Sequence, residues 1–270
     1  MDNISKSKIV NLYQSGMTTR EVESALNLKQ GSARYWLNKQ GIKCRSTKGM
    51  KFHVNRIRVP LSIIQSKVGT PEFDYFIGIL ATDGNICKSK IALQFAENNA
   101  QILDYWREFL DYKVDIKAYT RRKDNRTYYE IKFKNQEIAD FYKECGITER
   151  KTFTLKLKYI NWNVVLGVFD GDGCLSMEHK TPGGFSWRFS ICSASIDFIN
   201  QLNDFFVGEN LHPITRRIKN YYDISIGRKE EIDYIYKNIY KESSYFLERK
   251  YDKFLVAYSE SCRATLRKFS

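Results

Sequence analysis

The chain has 270 residues, with 44 Lys or Arg against 31 Asp or Glu and a net charge of +13. Hydrophobic residues make up 43%, enough for a sizeable core, so most of the chain is expected to fold. No run of 18 apolar residues exists and "MDNISKSKIV" has no apolar signal core, so a soluble, cytoplasmic protein is expected.

The basic excess points to a polyanionic partner, nucleic acid ahead of an anionic membrane surface. Cys44, Cys87, Cys145, Cys174, Cys192 and Cys262 form no CxxC pair, and none of the three histidines sits at metal spacing from them. This argues against zinc and against a disulfide framework, and the cysteines are read as small buried hydrophobes.

Residues 1–42 read as three short helices. Their core candidates are Ile4, Ile9, Leu12, Tyr13, Val22, Ala25, Leu26, Ala33, Trp36 and Leu37. "SGMTTREVESALNL" supplies a glycine turn, a Thr18 or Thr19 cap and an acid in the first turn. "KQGSARYWLNKQGI" follows as another helix. Two short helices about a tight turn fit a helix-turn-helix, whose second helix would present Gln30, Ser32, Arg34 and Tyr35 to a groove. The plainer alternative is a small helical cap on the main domain.

Residues 43–71 carry seven Lys or Arg and no acid, and read as an irregular linker. Lys48, Lys51, Arg56 and Arg58 would lie along phosphates.

From Glu72 the chain repeats itself, which sets half-domains at 72–160 and 161–270. Each copy opens on an apolar helix ending in Asp-Gly: "YFIGILATDGNIC" (75–87) and "VVLGVFDGDGCL" (164–175). Two strand-like runs, a helix, two more strands and another helix follow, giving α-β-β-α-β-β-α twice. This implies an α+β pair of half-domains about a pseudo-two-fold axis.

Gly78 and Thr82 are four apart, as are Gly167 and Gly171, so each helix carries a stripe of small residues. A mid-helix glycine costs roughly 1 kcal/mol relative to alanine, and close helix–helix approach would compensate. Asp83 and Asp172 fall in the last turns, each before a glycine suited to the left-handed C-terminal position. Carboxylates brought together there repel unless a cation intervenes. Oxygen ligands without His or Cys suit magnesium, with Thr82 and Gly171 beside the acids. Carboxylates, a divalent ion and a polyanionic partner point to phosphodiester hydrolysis.

"FIGILATDG" (76–84) and "VLGVFDGDG" (165–173) resemble the two signature motifs of a single-chain LAGLIDADG homing endonuclease. The resemblance covers most of the chain from Glu72 onward. It implies that the motif helices form the interface between half-domains and that Asp83 and Asp172 bind metal at the scissile phosphates of double-stranded DNA. It further implies a long specific target site, 3′ overhangs, and a monomer often encoded by an intron or phage. Lys151 in "TERKTF" and Lys250 in "LERKYD" match a lysine placed near the active site. Ala194 cannot serve the water-ordering role that Asn98 matches, which leaves room for unequal half-sites. The first motif has Ala81 where the second has Asp170, a position usually not a metal ligand.

The strands are expected to read DNA. Lys117, Tyr119 and Arg121 would face outward opposite Val114, Ile116 and Ala118, with Lys132 and Lys134 beside them. In the second copy Arg188, Arg217 and Lys219 would face outward, the last two if Ile214 and Ile218 point inward. The rival readings are a non-cleaving transcription regulator and an RNA maturase on the same scaffold; a nicking enzyme is a further one.

Overall fold

The computed structural model describes residues 3–42, 44, 59–112, 114–121, 125–180 and 184–266. The chain divides into two compact units, residues 1–56 and 57–270.

The first unit contains α1 (Asn3–Gln14), α2 (Thr19–Ala25) and α3 (Ser32–Lys39). Thr18 starts α2 through a capping box: its hydroxyl accepts from the Glu21 N–H at 3.1 Å, and the Glu21 carboxylate accepts from the Thr18 N–H at 2.7 Å. The buried Glu23 Oε1 accepts from the Gly31 and Ala33 N–H groups at 2.9 and 3.1 Å, tying α2 to the start of α3. Ile9, Tyr13, Val22, Ala33 and Leu37 form the core, with Leu12, Leu26 and Trp36 packed against it. Ala25, expected inside, is exposed, because Val22 and Leu26 define the inward face.

In the second unit α4 (Leu61–Gln65) precedes the repeat. It lies in the stretch read as linker, yet Val59 and Ile64 are fully buried there. The basic residues around "VPLSII" obscured its apolar anchor.

The first copy runs α5 (Pro71–Thr82), β1 (Asn85–Cys87), β2 (Lys90–Ala96), α6 (Gln101–Leu110), β3 (Lys117–Arg121), β4 (Arg126–Lys134) and α7 (Gln136–Glu144). The second runs α8 (Trp162–Asp172), β5 (Gly173–Lys180), β6 (Gly184–Ser193), α9 (Ile196–Gly208), β7 (Ile214–Ile218), β8 (Tyr221–Ile226) and α10 (Lys229–Ile239). The two antiparallel sheets have matching orders, β1-β2-β4-β3 and β5-β6-β8-β7. This is the doubled αββαββα architecture expected from the sequence. Where the first copy ends in a short 3-10 turn, Lys151–Phe153, the second continues into α11 (Glu248–Leu266).

Helices α5 and α8 form the centre. Thr70 caps α5, accepting from the Phe73 N–H, with Pro71 at its first turn; Asn161 caps α8, accepting from the Val164 N–H at 2.9 Å. Residues 73–81 and 163–170 are buried in unbroken runs, so each helix needs partners on every side.

The glycines let the backbones touch. A Cβ on Gly78 would come within 2.6 Å of the Val168 nitrogen and 2.8 Å of the Gly167 Cα. One on Gly167 would come within 2.9 Å of the Ile79 nitrogen. At the opposite end of the contact the buried Asp74 accepts from the Tyr159 hydroxyl and from the Asn161 amide at 2.6 Å.

Two expectations are corrected. Neither Gly84 nor Gly173 is left-handed, and Gly173 is extended at φ −85° and ψ 159°. Room is what they provide: a Cβ on Gly84 would sit 2.7 Å from the Leu80 Cα, and one on Gly173 2.6 Å from the Phe169 Cα. Of the five cysteines whose side chains are described, all free, only Cys145 is buried; Cys87 and Cys174 are exposed. They lie on the open sheet faces, where register rather than hydrophobicity sets their place.

An exposed mid-helix glycine gains about 1 kcal/mol on changing to alanine. Gly167→Ala is expected instead to lower the unfolding free energy by about 1–3 kcal/mol, the range of overpacked cores. Urea unfolding of the two proteins checks this, and a stabilised variant would contradict backbone contact.

Candidate functional site

Helix α5 ends with Asp83 as its cap and α8 ends on Asp172, both where the helix dipole disfavours an acid. The two ends meet. A Cβ on Gly171 would lie 2.7 Å from Asp83 Oδ2 and would strike the Thr82 side chain. Each aspartate opens to solvent on one side but is crowded by the helix ends on the other. Burial, and then the neighbouring Asp172, push the Asp83 carboxyl up to about 6; burial also raises Asp172.

The structure brings each lysine to the carbonyl end of the helix in its own copy. Lys151 Nζ donates to the carbonyls of Thr82 and Gly84, at 3.2 and 2.6 Å. Lys250 Nζ donates to the carbonyls of Phe169, Asp170 and Gly173, the last two at 3.0 and 2.7 Å. All but the Phe169 carbonyl, which also accepts from the Gly173 N–H, lack a helical N–H partner, so each ammonium stands in for a further turn. Burial lowers both lysines, Lys250 to about 8. The Thr82 carbonyl accepts from Lys151, and its hydroxyl lies 3.1 Å from the Ile79 carbonyl and 3.2 Å from Asp83 Oδ2.

Among the described residues no group of three or more His, Cys, Asp and Glu could hold a metal. The site offers two carboxylates and main-chain oxygens. That set fits a hard ion that fills its other positions with water or phosphate oxygen, as magnesium does. It also fits the raised acids: a bound cation would offset the burial that raises both and the Asp172 charge that further raises Asp83.

The first sheet turns the expected residues outward. Pairing of Lys117 with Glu130, Tyr119 with Tyr128 and Ala92 with Lys132 puts Lys117, Tyr119, Arg121, Lys132 and Lys134 on the face opposite Ile131 and Phe133. The Arg121 guanidinium lies 3.9 Å from the centre of the Tyr128 ring, which stacks with Tyr119 at 6.1 Å. Ala118 was expected inward but is exposed, since β3 is the edge strand and extends past the core.

The second sheet departs further. Ile214 and Ile218 are exposed, at 54% and 36%. Arg216 pairs with Asp223 and so shares the outer face with Arg188, whereas Arg217 pairs with Tyr222 on the parity of the buried Ile224. Lys219 sits in the hairpin turn at φ 51°. The Arg188 guanidinium is engaged by Glu178 at 3.1 Å, by Asp223 and by Ser225 at 3.1 Å. The two-residue turn after Ile218 would have placed Arg216 opposite Asp223, a cross-strand charge pair legible in the sequence.

In the first unit Gln30, Arg34 and Tyr35 are exposed on or beside α3, and Ser32 is half-buried. Lys39 Nζ lies 5.1 Å from the Trp36 ring centre. Lys48, Lys51, Arg56 and Arg58 lie outside the described residues. Among the described residues no helix is long and apolar enough to cross a membrane.

In carboxyl-detected NMR of the metal-free protein, Asp83 is expected to titrate near pH 6. In Asp172→Asn its midpoint should fall but stay above 3.8, because burial persists. An unmoved midpoint would separate the two carboxylates.

No family model matches the chain, and no curated protein matches its sequence. Solved structures do. The LAGLIDADG meganuclease I-AabMI bound to uncleaved DNA aligns with a TM-score of 0.52 at 10% identity, over 73% of this chain and 92% of that one. The meganuclease I-SmaMI bound to uncleaveable DNA gives 0.53 at 8% identity, over 74% and 91%. The I-LtrWI LAGLIDADG homing endonuclease bound to target DNA gives 0.51 at 13% identity, over 71% and 91%. At these identities the likeness is one of fold. The chain has the LAGLIDADG fold, with both motif-bearing halves in one polypeptide.

Proposed function

We propose that this chain is a magnesium-dependent, site-specific endonuclease of double-stranded DNA. The observation that carries the reading is the meeting of Asp83 and Asp172 at the paired ends of α5 and α8, backed by a lysine in each half. The structural neighbours, named as meganucleases or homing endonucleases with DNA, support it.

Asp83 and Asp172 would hold the divalent ion, beside Thr82 and Gly171. When bound, it supplies water activation and charge neutralisation at the leaving oxygen. The chain's own residues do the rest. Lys151 and Lys250 fix the helix ends and place positive charge where phosphate negative charge gathers. Lys117, Tyr119, Arg121, Lys132 and Lys134 form a basic, aromatic face suited to a groove. Arg188, Arg217 and Lys219 belong to the second sheet and its hairpin, whose outer face is closer to neutral. Both halves lie in one chain, so a monomer suffices. The three-helix unit, through Gln30, Ser32, Arg34 and Tyr35, would add a further DNA contact.

Protons compete with the cation at Asp83, so cation binding should weaken as pH falls through about 6. On DNA enriched for binding, Asp83→Asn/Asp172→Asn is expected to lower magnesium-dependent cutting by about 10³-fold or more, a loss of several kcal/mol of transition-state stabilisation. Binding should change by less than about tenfold, since the protein–phosphate contacts remain. EDTA should reproduce the loss. Tight binding to one sequence without cutting by the wild type would favour a non-cleaving regulator, and preference for structured RNA a maturase.

A further inference from the structure

Asp170 is fully buried, and the proposed metal site does not use it. Its Oδ2 accepts from the Tyr75 hydroxyl at 3.0 Å, across the α5–α8 contact, and from the Leu247 N–H at 2.8 Å. Leu247 immediately precedes α11, and its carbonyl accepts from the Lys250 N–H at 2.9 Å. Lys250 Nζ then returns to the carbonyls of Asp170 itself, Phe169 and Gly173. The path closes on one residue: the carboxylate holds the start of α11, and the same residue's carbonyl receives the ammonium that α11 carries.

The first copy has no such loop. Ala81 stands in place of Asp170, and its side chain has no polar group. Lys151 reaches two carbonyls from a three-residue 3-10 turn, preceded by Arg150 at φ 56°. One half is therefore anchored through a buried carboxylate and a 19-residue helix, and the other is not.

We infer that Asp170 is a positioning residue for the second half-site: it fixes Lys250 behind Asp172 and so sets the relative rates at which the two DNA strands are cut. This deepens the endonuclease reading and rests on it. Desolvating a carboxylate is costly, and two hydrogen bonds to one oxygen, with Oδ1 unpartnered, do not offset it for stability alone. Alignment of a catalytic half-site gives it a use.

The test follows each strand separately, with a different end label on each, under single-turnover conditions with saturating protein. Asp170→Ala is expected to change the ratio of the two strand-cutting rate constants at least tenfold, with DNA affinity within threefold of wild type. Asp170→Asn keeps an acceptor for Leu247 and should return the ratio to within threefold. Tyr75→Phe removes one donor to the same oxygen and should shift the ratio in the same direction, at least threefold; it keeps the test open if the alanine variant does not fold. Asp74→Asn, a buried carboxylate at the opposite end of the interface, should lower the melting temperature and leave the ratio alone. Cutting that slows equally on both strands in Asp170→Ala, or an unmoved ratio in Tyr75→Phe, overturns the assignment. A wild-type protein that cuts neither strand overturns the endonuclease reading and the assignment with it.

Discussion

The whole of the larger unit depends on backbone contact between α5 and α8 at Gly78 and Gly167. With no Cβ on either residue, the two main chains approach until the Gly78 Cβ position would lie 2.8 Å from the Gly167 Cα. Bulk at either position would part the helices, and the ends that carry Asp83 and Asp172 would part with them. The site is thus a product of packing before it is a product of charge. The cost of glycine in a helix interior is offset in both copies by the contact, which brings the two helix ends together.

What the contact brings together is electrostatically unfavourable by itself. Two carboxylates stand at the negative ends of two dipoles, where burial raises both. The fold answers with Lys151 and Lys250, which satisfy the terminal carbonyls from behind and leave the carboxylates facing outward. The atoms of the same turn are divided: carbonyls bind the ammonium groups, and the carboxylate side chains remain open to solvent. The proposed magnesium chemistry needs that openness, since the ion keeps ligands for water and phosphate.

Much of this was legible in the sequence, because the duplicated motif writes its small residues and terminal acids at fixed spacing. Gly78, Gly167, Asp83 and Asp172 could be placed from spacing alone, and the αββαββα order followed from alternating and helical runs. The unread parts have physical causes. A one-residue change of register exchanges Arg216 for Arg217 on the outer face, and an assumption about which isoleucines point inward decided it wrongly. In the sequence Asp170 reads only as a position that is not a metal ligand, because its main-chain partner, Leu247, lies 77 residues away. The exposed cysteines were misread because composition reports hydrophobicity and not which sheet face a residue occupies.

In the proposed endonuclease one centre at the paired helix ends serves both strands. The most direct test is sequencing the ends of both strands after a complex DNA pool is incubated with the protein and magnesium. Recurrent breaks are expected at one sequence, with the two strand breaks separated by less than about half a helical turn, roughly 5 base pairs. Strand breaks a full turn or more apart, or cutting without sequence recurrence, would contradict a single centre built by α5 and α8.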